Sequence, residues 1–425
     1  MAVTVTKIIA YEILDSRGFP TIEARMSLSD GHEVETSIPS GTSIGKYEAL
    51  ELRDGDETRF RGMGVLRAID IINTVIAPKL VGIDPARQVD VDRWLITADG
   101  TSNKSKLGAN SVLAVSQLFL KAGAYEQAVP AFYYINKLYE QLFGKYITIE
   151  KIPTPIFNII NGGKHANNTL QFQEFQIIPS SSLKFEDALR LGTEVFHELK
   201  DVLLYRNANI SVGEEGGFAP NLSTNIDAIE LLSETLGKRH LKLGLDVFLG
   251  LDFACGYYFQ DGKFHVKDKP QPMDREEYME YLLHLMSAYP FLLIEDPLME
   301  DDYSGWTALL SKMDSGIYLV GDDLLTTNKE RLARAITEKA CTTILIKPNQ
   351  IGTITETLEV VNLARENNIN YIVSHRSGET NDDFIADLGV GVQADFVKFG
   401  APSRGERVAK YNRLLKLVYQ DLKGR

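Results

Sequence analysis

Apolar and polar positions change their period along this chain. Up to about residue 38 they fall in short β-rich runs: VTKIIAYEIL and TIEARMSL, split by DSRGFP with its turn residues Gly18 and Pro20, then EVETSI after the turn SDGH. This pattern predicts three antiparallel strands. From residue 62 to about 142 the spacing lengthens to three and four, so MGVLRAIDIINTVIAPKL, VDVDRWLI and the long run over 109–127 read as helices. Strands followed by helices make a small α+β domain over residues 1–142, and KYITIEKIPTP reads as the linker that leaves it.

Over residues 143–425 the pattern becomes repetitive. PIFNIINGG and LQFQEFQIIP read as strands, followed by helices over 185–204 and 224–236. Six apolar runs then each end on an ionisable residue: VFLGLD at Asp252, FLLIE at Glu295, IYLVGD at Asp322, ILIK at Lys347, YIVSH at His375 and FVK at Lys398. These ends lie 23 to 43 residues apart, about what a strand, a helix and two short loops occupy. The expected fold is α/β, a modified TIM-like β/α barrel behind the smaller α+β domain; two strands and two helices before Asp252 depart from a plain eightfold repeat. Barrels carry their chemistry at the C-terminal strand ends, so three carboxylates and three bases aimed at one axis form a candidate site. Singly, each has another reading: a lysine leaving a strand for solvent, or an acid capping the next helix.

Composition narrows the picture. At 425 residues the chain exceeds a single core, with 44% apolar and 24% charged residues, as in globular enzymes. An excess of 58 acidic over 45 basic residues, net charge -13, argues against a nucleic-acid partner. Cys255 and Cys341 make no disulfide framework, the N-terminus does not resemble a secretory signal, and no apolar run reaches the ~18 residues of a membrane span. A cytoplasmic location is expected.

DSRGFPT, PSGTSIGKYEALELRDGD, NGGKHANN, QEF, VGEEGGFAP, IEDP, GDDLLTTN, LIKPNQIG and SHRSGET occur in this order over residues 8–415. The series resembles the enolase family, the phosphopyruvate hydratases of glycolysis and gluconeogenesis. The resemblance implies reversible dehydration of 2-phosphoglycerate to phosphoenolpyruvate with two Mg²⁺ per site, the second arriving with substrate. Asp252, Glu295 and Asp322 would bind the first; three oxygen ligands without cysteine suit Mg²⁺ better than zinc, and would repel one another without a cation. Ser43, in a glycine-flanked loop able to hinge, would close over substrate and join the second. Lys347 resembles the base, its pKa expected to be lowered by Mg²⁺ and Lys398. Glu215 resembles the proton donor to the leaving hydroxyl, with Glu174 beside it so that the pair holds one proton. Lys398 would meet the substrate carboxylate, with His375 on the same side. Arg376 and Ser377 look like phosphate ligands, and His165 like a mobile-loop histidine. A homodimer, or a higher oligomer of dimers, is implied as well.

The chain also departs from the family. Thr42 and Ile44 stand in a loop that usually reads SGASTG, which bears on lid closure and the second metal; Glu214 replaces the usual aspartate before Glu215. FACGY follows Asp252, the tail KLVYQDLKGR lacks an acidic stretch, and Glu23 with Lys416 replaces a Glu and Arg subunit pair. Two alternatives stay open: an acid-sugar dehydratase of the same superfamily, and a second enolase copy retained as a surface or plasminogen-binding protein.

Overall fold

The opening meander forms as its alternation predicts: β1 (Val5–Leu14) pairs antiparallel with β2 (Pro20–Leu28), and β2 with β3 (Glu33–Ser37). The computed structural model describes residues 3–42 and 45–422. On β2 the side chains of Ile22, Ala24 and Met26 are buried while Glu23, Arg25 and Ser27 between them are partly exposed, the period of a sheet with one covered face. The cover is α4 (Ala109–Glu126), which packs on β2 and β3 and is buried almost all round. Around it lie α1 (Leu66–Asp70), α3 (Gln88–Asp99) and α5 (Ala131–Phe143), while α2 (Ala77–Leu80) packs on β1. The expected helix over 62–80 begins only at Leu66, and residues Ile71–Ile76 between α1 and α2 take π-helical turns. Pro78 has no N–H to give Thr74, and a wider turn is one way to carry the helix past that missing bond. The segment expected as a linker is held down: Ile147 and Ile149 are buried, and Asn136 Nδ2 donates to the Ile147 carbonyl at 2.7 Å.

Eight strands close a barrel in the order β10 (Tyr318–Gly321), β11 (Thr343–Ile346), β12 (Asn370–Ser374), β13 (Phe396–Lys398), β4 (Thr154–Asn161), β5 (Glu174–Pro179), β6 (Val247–Asp252), β9 (Phe291–Glu295). A small hairpin, β7 (Phe259–Gln260) and β8 (Lys263–Phe264), lies outside it. The barrel pairs are parallel except β4 with β5 and β5 with β6, so β5 alone runs backwards. This reversal is the physical content of the irregular first units, and the strand expected from residue 170 starts only at Glu174. The helices α6 (Phe185–Tyr205), α7 (Asn225–Lys238), α8 (Arg275–Ala288), α9 (Tyr303–Leu310), α10 (Lys329–Glu338), α11 (Ile354–Glu366), α12 (Phe384–Gly391) and α13 (Gly405–Lys416) follow the strands in chain order. Ile156, Ile178, Leu293, Val320, Leu345, Ile372 and Phe396 form a separate apolar cluster, one from each of seven barrel strands, as in a filled barrel interior.

Asp382, just before α12, ties the barrel to the meander. Its Oδ2 accepts from Thr36 Oγ1 at 2.8 Å, Ser37 N at 3.1 Å and Lys121 Nζ at 2.7 Å. Burial would raise this carboxyl, but the Lys121 ammonium outweighs it and holds it below the usual range. A depressed carboxyl stabilises the fold above its unfolded pKa, about 4, and that stabilisation is lost as pH falls through the folded value. Asp382→Asn should therefore cost about 1–3 kcal/mol at pH 7 by urea unfolding, with the gap to the parent shrinking below pH ~4; a gap independent of pH would remove the charge from this account. Gly192 of α6 sits against the Phe157 ring with no room for a Cβ, whereas Gly237 of α7 has open space. Gly192→Ala should destabilise by about 1–3 kcal/mol and Gly237→Ala stabilise by up to about 1 kcal/mol; the same sign at both positions would contradict the packing described.

Candidate active site

Side chains alternate across a strand, so the residue two beyond each apolar interior position also points inward, one layer nearer the mouth. From Leu293, Val320, Leu345 and Phe396 this step reaches Glu295, Asp322, Lys347 and Lys398; from Ile156 it reaches Asn158. On β6, Asp252 lies in register with Glu295. Because β5 runs backwards, its first residue, Glu174, comes to the mouth opposite Asp252 and Asn161.

The inward polar groups meet. Lys398 Nζ lies 2.7 and 2.9 Å from the two Glu295 oxygens and 3.2 Å from both Glu174 oxygens. Lys347 Nζ donates to Asp322 Oδ2, whose Oδ1 accepts from Gln350 Nε2 at 3.1 Å. Asp252 accepts from Gln173 Nε2 at 2.9 Å and the Ala254 N–H at 3.0 Å. Above them His165, Glu174, Glu215, Asp252, Asp322, Lys347, His375, Arg376, Ser377 and Lys398 line one cleft, with Glu295 beneath. Glu215 accepts from Asn158 Nδ2 at 2.7 Å, and His165 Nδ1 and His375 Nε2 approach its two oxygens to 3.4 and 3.5 Å.

Burial and like charge set the protonation. Burial, then Asp252, raises Glu295 to about 8; burial, with Glu174 and Asp322 nearby, raises Asp252 to about 6. Burial, then Glu215, raises Glu174 to about 7, whereas His165 and His375 overcome burial at Glu215 and hold it well below the carboxylate range. Of the two glutamates Glu174 is thus the one that carries a proton near neutrality. The expected lowering of Lys347 is not what the groups present produce: burial opposes its charge, but Asp322 prevails and raises it.

Asp252, Glu295 and Asp322 offer only oxygen, crowd one another electrostatically and balance against lysines, a donor set that fits a hard divalent cation. Two tighter sets also occur among the described residues, His165 with Glu174 and Glu215, and Asp296 with Asp322 and Asp323, each with ligand atoms within 4.8 Å of one another.

The 375–377 turn is buried, not an exposed basic turn. Arg376 Nη1 donates to Glu48 at 2.8 Å and to Asn349 Oδ1 at 2.9 Å, and Ser377 Oγ accepts from Thr42 N at 2.6 Å. Thr42 and Glu214, two separate departures in the sequence, touch: the threonine hydroxyl donates to Glu214 Oε2 at 2.5 Å and accepts from Arg17. Ser43 and Ile44 lie outside the described residues. Sequence reasoning missed Gln173, Asn158, Glu48 and Gln350. Of these, Asn158 was within reach, since it follows the inward Ile156 by two.

Two family models match the chain: the enolase N-terminal domain over residues 5–135 and the enolase C-terminal TIM barrel domain over residues 149–422. It is 44% identical over 418 residues to an enolase of Ehrlichia canis, covering 98% of this chain and 97% of that protein. To an enolase of Ehrlichia chaffeensis it is 44% identical over 413 residues, 97% and 96% of the two chains. With both domains matched and that identity held over nearly its whole length, the chain belongs to the enolase family.

Proposed function

We propose a residue-level account of the enolase reaction in this chain, the reversible dehydration of 2-phosphoglycerate to phosphoenolpyruvate. The observation that carries it is the set of lysines and carboxylates from separate barrel strands in one cleft, Lys347 on Asp322 and Lys398 on Glu295 and Glu174. The C2 proton of the substrate is a poor acid, because its loss places a second negative charge on a carboxylate already ionised. Asp252, Glu295 and Asp322 would hold one Mg²⁺ and Ser43 would join a second that arrives with substrate; bound there, the ions supply the positive charge that absorbs the developing enolate.

The chain's own groups do the rest. Lys347 Nζ takes the C2 proton, which requires the neutral amine. Asp322 holds it charged, and once Asp322 is otherwise engaged, Arg376 and Lys398 remain as the neighbours that favour neutrality. Glu174 holds the proton of the glutamate pair near neutrality, and Glu215, oriented by Asn158, takes it over and delivers it to the C3 hydroxyl. Lys398 and His375 receive the substrate carboxylate, Arg376 and Ser377 the phosphate, and His165 closes the side formed by residues 163–167.

The same reading divides the small domain from the barrel between residues 142 and 143, inside the last turn of α5, and puts the protein in the cytoplasm and two chains in a homodimer or a higher oligomer of dimers. In support of the location, both cysteines are free and buried, and no helix among the described residues is long and apolar enough to cross a membrane.

Lys347→Ala should lower kcat for 2-phosphoglycerate by about 10³-fold, and EDTA should abolish turnover until Mg²⁺ is restored. Substantial activity in EDTA, or a preference for unphosphorylated sugar acids in a substrate screen, would overturn the account.

A further inference from the structure

Arg407, on the first turn of α13, is fully buried. Its Nη1 lies 2.6 Å from His375 Nδ1 and donates to the Arg376 carbonyl at 2.6 Å, while Nη2 donates to the carbonyls of Ser377 at 2.5 Å and Glu214 at 3.0 Å. One guanidinium thus gathers the 375–377 turn and the loop that carries Glu215. Gly400, at φ +91°, makes room for this: a Cβ there would lie 2.8 Å from the Glu215 carbonyl, 2.9 Å from Arg407 Cδ and 3.1 Å from His375 Cε1. Three residues on, Lys410 donates to the Thr380 carbonyl and pairs with Glu379, which in turn accepts from the Arg376 N–H.

A guanidinium has only donors and does not lose its proton in proteins. His375 Nδ1 at 2.6 Å must therefore present a lone pair, and a neutral ring with that lone pair carries its hydrogen on Nε2. That nitrogen makes no other hydrogen bond and looks toward Glu215 Oε2 at 3.5 Å. We propose that Arg407 is a positioning residue: it fixes His375 as the neutral Nε2–H tautomer, a donor toward the reacting end of the cleft, and locks the 375–377 turn to the Glu215 loop. The catalytic consequence rests on the roles proposed above for His375 and Glu215, whereas the tautomer does not. The charges that face the ring agree. Burial lowers it to about 3, Arg407 and Lys398 act in the same direction, and Glu215 opposes them.

The test is ¹⁵N NMR of the histidine-labelled full chain, with His375 assigned from the resonances lost in His375→Gln. The expected result is a protonated, pyrrole-type Nε2 and a bare, pyridine-type Nδ1, unchanged from pH 6 to 8. An Nδ1–H tautomer, or an imidazolium at pH 6, would overturn the proposal whether or not the protein turns over 2-phosphoglycerate. In Arg407→Gln the tautomer should mix, and kcat should fall about 10²-fold, the scale of an ångström of misplacement. A folded variant with the parental tautomer and kcat within threefold of the parent would equally contradict it. If the variant fails to fold, the measurement on the unaltered chain still decides.

Discussion

Charges buried at the mouth of the barrel must be neutralised in place, because little water reaches them. Removing an ion from water costs several kcal/mol unless a counter-charge at close range repays it. Lys398 is 2% exposed and Glu295 fully buried, and the lysine's charge is met at close range by Glu295 and by Glu174. The same holds for Lys347 and Asp322. Three carboxylates, two lysines and the glutamate pair therefore form one coupled set, with an excess of acid that raises Glu295, Asp252 and Glu174. Altering any member shifts the protonation of the rest, which is how a lysine can be both a structural counter-ion and a candidate base.

The fold serves this constraint by separating two layers. Apolar side chains from seven strands fill the barrel axis, and one pleat higher four of those strands present ionisable groups, Glu295, Asp322, Lys347 and Lys398. The apolar layer denies water access from below. The reversal of β5 adds a carboxylate that a wholly parallel barrel would place at the far end, since Glu174 begins its strand instead of ending it. Loops and the small domain complete the rim: Glu48 neutralises Arg376, and Thr42 joins Ser377 to Glu214.

Much of this was legible in the sequence for a physical reason. A buried strand must be apolar, so an ionisable residue that ends an apolar run is conspicuous, and Asp252, Glu295, Asp322, Lys347, His375 and Lys398 were found that way. Glu174 had no preceding run and was visible only through the resemblance of QEF. Arg407 sits in GERVAKY, a helical stretch whose polar residues look solvated, and nothing local tells that its guanidinium turns inward. Glu48 and Thr42 depend on how the small domain meets the barrel, a long-range contact that no local pattern encodes. Asp322's hold on Lys347, which raises the lysine's pKa, is a contact between the ends of two strands that only the folded chain reveals.

Asp252, Glu295 and Asp322 are proposed to share one cation at the barrel mouth. Anomalous diffraction from crystals soaked with Mn²⁺, a hard cation that shares oxygen ligands with Mg²⁺, tests it most directly. The account predicts a single strong peak within bonding distance of oxygens from all three residues. A peak over Asp296 and Asp323 instead, or none at the mouth, would contradict it.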